Sequence, residues 1–296
     1  MRVLVWFLAL MALALAAIAV CTYPAWLLLH AHFSFPFHRI GERIGMLALL
    51  VGFVAVARHL GLADRASLGY ALPRRAFVRE LALALALGVA TMLGVVGLMS
   101  ALGLLDWSKG AALSAAALAH LVLLRLLSGL AVGFIEETFL RGAMHTGIAR
   151  EAGTRAAIAC TAVIYAATHF FASFHIAAEQ VTVHSGVDLL AGTLHLFASP
   201  LAIADAFLAL LAVGVVLGLL RAATGNIAAC IGLHAGWVWV MLVVHELARP
   251  RAGASLGFLL SHFDGFIGWL VLAWTVLLAQ PLWHFYLRRS IASSPP

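Results

Sequence analysis

Two adjacent glutamates, Glu136 and Glu137, lie near the end of a long apolar stretch and are followed by Arg141. Charged side chains inside a bilayer are costly, rare and usually functional. On a helix, Glu137 and Arg141 share a face, with the acid before the base, which is the favourable order for an ion pair. Glu136 is turned about 100° away from them and has no evident local partner. The spacing therefore predicts a structural ion pair for Glu137 and Arg141, and a chemical role for Glu136.

Two histidines further along the chain are candidates to act with Glu136. His169 lies on the next predicted span, at nearly the same number of residues from the intervening turn at Gly153. In an antiparallel pair of continuous helices, equal distances from the turn mean equal depth, so the carboxylate and the imidazole can hold a water between them. His234 lies on a later span and can close the cluster from a third side. An interhelical hydrogen bond is the alternative role for either histidine.

A zinc site is a second chemistry open to one glutamate and two histidines. The compact His-Glu-x-x-His motif of zinc proteases is absent from the sequence. The three cysteines, Cys21, Cys160 and Cys230, have neither metal nor redox spacing and are interpreted as packing residues. We therefore expect no metal and no cofactor.

The composition is that of an integral membrane protein. Hydrophobic residues make up 64% of the 296 residues and charged residues only 10%, whereas a soluble domain carries about 25% charged residues. The pattern predicts an all-α, polytopic bundle of about eight spans that forms one membrane domain over residues 1–296. The bases, nearly all arginine, lie mostly in short connections, where they set topology, so we expect the lipid bilayer as a partner and no nucleic acid.

The predicted spans lie at about residues 3–29, 44–60, 81–105, 111–141, 156–171, 206–220, 227–244 and 256–282. The first is longer than the apolar core of a signal peptide, so an uncleaved helix is expected. Residues 172–205 contain one apolar stretch that is too short to cross a bilayer. This segment is predicted to be re-entrant or interfacial, and a role in gating or substrate selection is a hypothesis.

Eight spans place both termini on one side of the membrane. With both termini in the cytosol, most arginines fall in cytosolic connections, and Arg125 lies within the bilayer. The few bases on the opposite side are Arg39, Arg43, Lys109, Arg249 and Arg251. The positive-inside rule favours this orientation, and the expected location is a bacterial inner membrane.

Three motifs, in this order, resemble those of the CPBP family of membrane proteins. They are Glu136-Glu137-x-x-x-Arg141, Tyr165-x-x-x-His169 and, after a Gly-Asn turn, His234-Ala-Gly-Trp. The family contains the type II CAAX-prenyl proteases and the bacteriocin-processing enzymes, which are intramembrane glutamic proteases and include the eukaryotic Ras-converting enzyme. The resemblance covers about residues 125–246, and the protease-like core is expected at about 111–246.

The resemblance implies a role for each matching residue. Glu136 is the general base that activates a water, His169 assists it, and His234 contributes to the oxyanion hole, while Glu137 and Arg141 support the site. Two positions depart from the family's pattern. Tyr165 stands where the family usually has Phe, and Val238 stands where it often has Asn. A valine side chain cannot donate a hydrogen bond, so one oxyanion donor of the family's pattern is missing here.

The resulting hypothesis is an endopeptidase that cleaves a membrane-tethered protein or peptide with a water activated by glutamate and histidine. A prenylated tail, a bacteriocin leader and a C-terminal sorting helix are all compatible substrates. Two alternatives belong to other classes of protein. One is a proton-coupled transporter that uses the glutamate and histidines as a relay, although no internal repeat is visible in the sequence. The other is a non-catalytic scaffold or immunity protein.

Overall fold

The computed structural model describes residues 1–30, 32–33, 35–110, 113–170 and 175–292, and nearly all regular structure in these ranges is helical. The α-helices are α1 Arg2–Leu29, α2 Phe37–His59, α3 Arg74–Ala101, α4 Ala115–Glu137, α5 His145–Thr168, α6 Ser185–Phe197, α7 Pro200–Thr224, α8 Ala228–Leu247 and α9 Trp269–Ala292. A π-helix, Thr138–Met144, joins α4 to α5. Two short strands, β1 Leu105–Asp106 and β2 Arg249–Pro250, pair antiparallel.

Within the described ranges, seven helical stretches are long and apolar enough to cross a membrane. One of them, Ala115–Thr168, contains 54 residues and runs through α4, the π-helix and α5. At about 1.5 Å per residue it is more than twice as long as the bilayer core of about 30 Å. Gly153 interrupts α5 with a non-helical conformation (φ 84°, ψ 163°) that only glycine adopts readily. The stretch therefore accounts for the fourth and fifth predicted spans, and the helical membrane bundle with a turn at Gly153 is confirmed.

The connection between the fifth and sixth predicted spans contains α6. This helix has 13 residues, too few to cross a bilayer, and it packs chiefly against α1. The next helix, α7, begins at Pro200, because proline is well suited to the first helical position. The sixth span therefore starts earlier than the predicted residue 206. Residues 172–174 of the predicted segment lie outside the described residues, and residues 200–205 belong to α7. The re-entrant or interfacial placement of residues 175–199 stays a prediction.

The connections are grouped at two ends of the bundle as the alternation of the spans predicts. At one end, the amino group of Met1 lies 3.2 Å from Glu151 Oε2, and the Ile227 N–H donates to the Gly69 carbonyl oxygen over 3.1 Å. At the other end, the connection after α3 pairs with the connection after α8 through the two short strands. The cytosolic placement of the first end stays a prediction.

Helix α8 packs closely against both α3 and α4. A Cβ atom on Gly88 of α3 would lie 2.5 Å from the Leu233 carbonyl oxygen. A Cβ atom on Gly129 of α4 would lie 2.8 Å from the Ala235 carbonyl oxygen. Small residues allow membrane helices to approach this closely. The result is that the end of α4, with its two glutamates, lies directly beside the first half of α8.

Candidate active site

The charged motif lies where α4 passes into the π-helix. Glu137 is the last residue of α4, and residues 140–144 of the π-helix are all buried. Arg141 Nη1 donates to Glu137 Oε1 over 3.0 Å, and both side chains are 0% exposed. The predicted ion pair is confirmed. π-Helical turns are rare in proteins, and those that occur are often found at functional sites.

Arg141 connects three helices. Its Nη2 donates to the Gly214 carbonyl oxygen on α7 over 3.0 Å, and its guanidinium lies 4.9 Å from the centroid of the Tyr165 ring on α5. The backbone carbonyl oxygen of Arg141 accepts a hydrogen bond from Arg221 Nε over 2.9 Å. Arg141 therefore sets the position of the π-helix relative to α5 and α7.

The connection between α2 and α3 holds the outer face of the π-helix. The Tyr70 hydroxyl and Thr138 Oγ1 are hydrogen-bonded over 2.5 Å. Burial raises the pKa of the Tyr70 phenol, so this hydroxyl keeps its proton. A Cβ atom on Gly142 would lie 2.9 Å from the Leu68 carbonyl oxygen. Only a glycine at position 142 lets the connection pack this closely.

Glu137 also holds the imidazole of His234. His234 Nδ1 lies 2.8 Å from Glu137 Oε1, and the histidine is only 2% exposed. An ionised carboxylate can only accept hydrogen bonds, so Nδ1 carries a hydrogen and donates it. In the neutral ring, Nε2 is then an acceptor. Glu137 Oε2 has no hydrogen-bond partner among the described residues.

Glu136 lies on the other side of the same imidazole. Its Oε2 is 4.0 Å from His234 Nε2, and its side chain is 35% exposed. Within the described ranges its carboxylate makes no hydrogen bond at shorter distance. Glu136 is thus the accessible carboxylate of the pair, and its one ion contact among the described residues is with His234 on another helix.

Tyr165 joins His169 to this cluster. Its hydroxyl lies 3.4 Å from His234 Nε2, and its ring centroid is 4.5 Å from that of His169. His169 Nδ1 lies 2.7 Å from the Tyr165 carbonyl oxygen. A carbonyl oxygen only accepts, so His169 Nδ1 donates and leaves Nε2 of the neutral ring as an acceptor.

The sequence predicts that Glu136 and His169 hold a water between them, and that arrangement stays a prediction. Helix α4 packs chiefly on α8, and α5 packs chiefly on α7, so the two helices do not form the simple hairpin that equal depth assumed. His234 Nε2 lies 4.0 Å from Glu136 Oε2 and 3.4 Å from the Tyr165 hydroxyl, and the Tyr165 ring contacts that of His169. The three candidate residues Glu136, His169 and His234 therefore belong to one cluster. Helix α8 connects them, because it carries His234.

Tyr165, Arg221 and Asn226 contribute to the site without a predicted role in it. In the sequence, Tyr165 stands out only as the first residue of its motif. Asn226 Oδ1 accepts from the Ala228 N–H over 2.9 Å and so sets the start of α8, a role that asparagine before a helix could have indicated. No sequence signal indicates that Arg221 binds the carbonyl of Arg141.

Two further predictions concern ligands and donors. Among the described residues there is no group of three or more His, Cys, Asp or Glu side chains that could hold a metal ion. Val238 lies on α8 one turn beyond His234 and is half-buried, so its apolar side chain brings no donor to this part of the helix.

The central part of the chain is similar to a known protein family. Residues 118–240 match the family model for the type II CAAX prenyl endopeptidase, Rce1-like. The matched range contains Glu136, His169 and His234 together with the helices that carry them. Comparison with curated proteins and with solved structures gave no significant match.

Proposed function

Because the chain belongs, through residues 118–240, to the CPBP family of CAAX-type intramembrane proteases, we propose that it hydrolyses a peptide bond in a membrane-tethered protein or peptide. One observation carries the proposal. The accessible carboxylate of Glu136 lies 4.0 Å from the buried imidazole of His234, beside a second histidine presented by Tyr165. This arrangement brings a carboxylate that can act as a base and two imidazoles into one cluster.

Glu136 is the proposed general base. It takes a proton from a water as the water oxygen bonds to the carbonyl carbon of the substrate. His169 Nε2 accepts a hydrogen bond from the same water and orients it, because Nδ1 is already bound to the Tyr165 carbonyl oxygen. The protonated Glu136 then gives its proton to the leaving nitrogen as the carbon–nitrogen bond breaks.

His234 is the proposed oxyanion donor. Its Nδ1 donates to Glu137, so Nε2 can donate to the substrate oxygen only when both ring nitrogens carry a hydrogen. In the proposed mechanism that second proton comes from solvent before the reaction and stays on the ring throughout. Glu137 holds the orientation of the ring, and Arg141 holds Glu137. In the proposed mechanism these two residues position the donor and make no contact with substrate. A donor that is directed at the developing negative charge typically raises kcat by a factor of about 10²–10³.

The setting and the substrate form part of the same proposal. The protein is an integral membrane protein, and we place it in a bacterial inner membrane with both termini in the cytosol. The reaction as written uses no metal and no cofactor. A prenylated tail, a bacteriocin leader and a C-terminal sorting helix each present a peptide bond close to a membrane anchor.

The test is cleavage by purified protein in liposomes. Three membrane-tethered peptides are offered: one with a prenylated C-terminus, one with a leader and one with a C-terminal hydrophobic helix. Mass spectrometry should detect a defined new terminus in at least one of them with the wild type and in none with Glu136→Gln.

The alternatives give different results in the same preparation. Solute or proton uptake into the vesicles that requires Glu136, without cleavage of any peptide, would identify a transporter. A cellular phenotype that is fully retained by Glu136→Gln would identify a scaffold or immunity protein.

A further inference from the structure

The Tyr165 hydroxyl is a buried donor beside the proposed catalytic residues. Tyr165 is only 3% exposed, and its oxygen lies 3.4 Å from His234 Nε2. That nitrogen in turn is 4.0 Å from the carboxylate of Glu136. The hydroxyl therefore lies next to the space in which the proposed reaction takes place.

The direction of the hydrogen bond follows from the other side of the imidazole. His234 Nδ1 donates to Glu137, so Nε2 of the neutral ring has a lone pair and Tyr165 is the donor. A separation of 3.4 Å is longer than the usual range for hydrogen bonds. The bond is therefore weak, and the hydroxyl can leave it at little cost.

The ring of Tyr165 is held while its hydroxyl is free to rotate. The Arg141 guanidinium lies 4.9 Å from the ring centroid on one side, and the His169 ring lies 4.5 Å away. The Tyr165 carbonyl oxygen is bound to His169 Nδ1. Rotation about a single carbon–oxygen bond is thus enough to redirect the donor, and such preorganisation is what makes a donor effective in catalysis.

Protonation of His234 changes what the hydroxyl can bind. Once Nε2 carries a hydrogen it no longer accepts from Tyr165, and two donors then face each other across 3.4 Å. An oxygen that bears negative charge satisfies both. We propose that the Tyr165 hydroxyl is a catalytic residue, the second donor to the substrate oxyanion beside His234. This inference rests on the proposed function.

Tyr165→Phe tests the hydroxyl alone, because the ring and its contacts with Arg141 and His169 remain. In the peptide-cleavage assay we expect kcat to fall by about 10²-fold, which is typical for the loss of one oxyanion donor, with KM and the melting temperature unchanged. Tyr286→Phe is the matched control, since Tyr286 is a fully buried tyrosine of α9. It should keep the wild-type kcat.

A rescue experiment separates a donor role from a structural one. Val238 lies one turn beyond His234 on the same face of α8, so Val238→Asn introduces an amide donor near the site. Combined with Tyr165→Phe, it should restore kcat at least tenfold over Tyr165→Phe alone. In the wild-type background the same change should keep or raise kcat.

Glu136→Gln is measured in the same assay. Its activity tests the proposed protease function, whereas the activity of Tyr165→Phe tests the donor role of the hydroxyl. Equal activity of the wild type and Glu136→Gln, or no cleavage by either, overturns the proposed function and this inference with it. An inactive Glu136→Gln with a Tyr165→Phe variant within about threefold of wild type overturns the donor role alone. A Tyr165→Phe variant that loses activity together with melting temperature, and is not rescued by Val238→Asn, shows that the hydroxyl is structural.

Discussion

The imidazole of His234 donates a hydrogen bond from Nδ1 to Oε1 of Glu137 over 2.8 Å. The same oxygen accepts from Arg141, so one buried carboxylate oxygen orients a histidine and neutralises an arginine. We therefore expect the contact of this oxygen with Arg141 to determine stability and its contact with His234 to determine activity. Substitutions at these residues can separate the two effects.

Arg141→Ala should lower the stability of the protein in detergent. It leaves Glu137 as an uncompensated buried charge, which typically costs about 3–5 kcal/mol, and it removes the hydrogen bond to Gly214. Arg249→Ala is the control, because its ion pair with Asp106 is exposed and such pairs contribute about 0–1 kcal/mol. Thermal melting in detergent measures both, and an unchanged melting temperature together with lost activity would place Arg141 among the catalytic residues.

Neutralising both members of the pair should recover stability without activity. Glu137→Gln combined with Arg141→Met removes both buried charges at similar volume, and such replacements are often neutral or stabilising. His234 would still lack the carboxylate that orients it, so we expect a near-normal melting temperature and low kcat. Normal turnover by this double variant would show that the carboxylate is unnecessary for His234.

Glu136→Gln should abolish cleavage while expression, insertion and melting temperature stay normal. Glu136 has one ion contact in the described structure, the 4.0 Å approach to His234 Nε2, and its side chain is 35% exposed. His234 keeps its hydrogen bond to Glu137, so the uncharged amide leaves no buried charge unpaired. Glu42→Gln on α2, which removes the ion partner of Arg39, serves as the control. Substantial activity of Glu136→Gln would remove the general-base role.

His234→Ala should eliminate measurable turnover. Val238 supplies no donor, so the loss of His234 leaves at most one side-chain donor for the oxyanion. His120→Ala is the control, because His120 is exposed on α4, and it should keep its activity. A kcat of His234→Ala within about tenfold of wild type, which corresponds to about 1.4 kcal/mol, would mean that another group is the main donor.

Strong chelators should leave the activity of the purified enzyme unchanged. His234 Nδ1 and Glu137 Oε1 are bound to each other, and the sequence lacks the compact zinc-protease motif. The measurement is the cleavage rate after incubation with chelator and dialysis. Inhibition that added zinc reverses would make Glu136, His169 and His234 metal ligands.

Much of this protein was determined by its sequence. Long apolar stretches with few charges can be stable only as membrane helices, because every backbone hydrogen bond must be made inside the helix. The acid-before-base order of Glu137 and Arg141 predicted their ion pair. In the structure, Arg141 Nη1 lies 3.0 Å from Glu137 Oε1. Gly153 predicted the turn, and its backbone there is non-helical. These features depend on residues that are close together in the chain.

The arrangement of the site was decided by the tertiary structure. Equal depth along a hairpin predicted that Glu136 and His169 can hold a water between them, but it could not predict that α4 packs on α8 and α5 on α7. Those choices depend on glycines such as Gly129 and Gly214, which let backbones from distant parts of the chain approach closely. Helix packing therefore brought the Tyr165 hydroxyl to His234 and His234 to Glu136, because side chains far apart in the sequence meet only where their helices pack together.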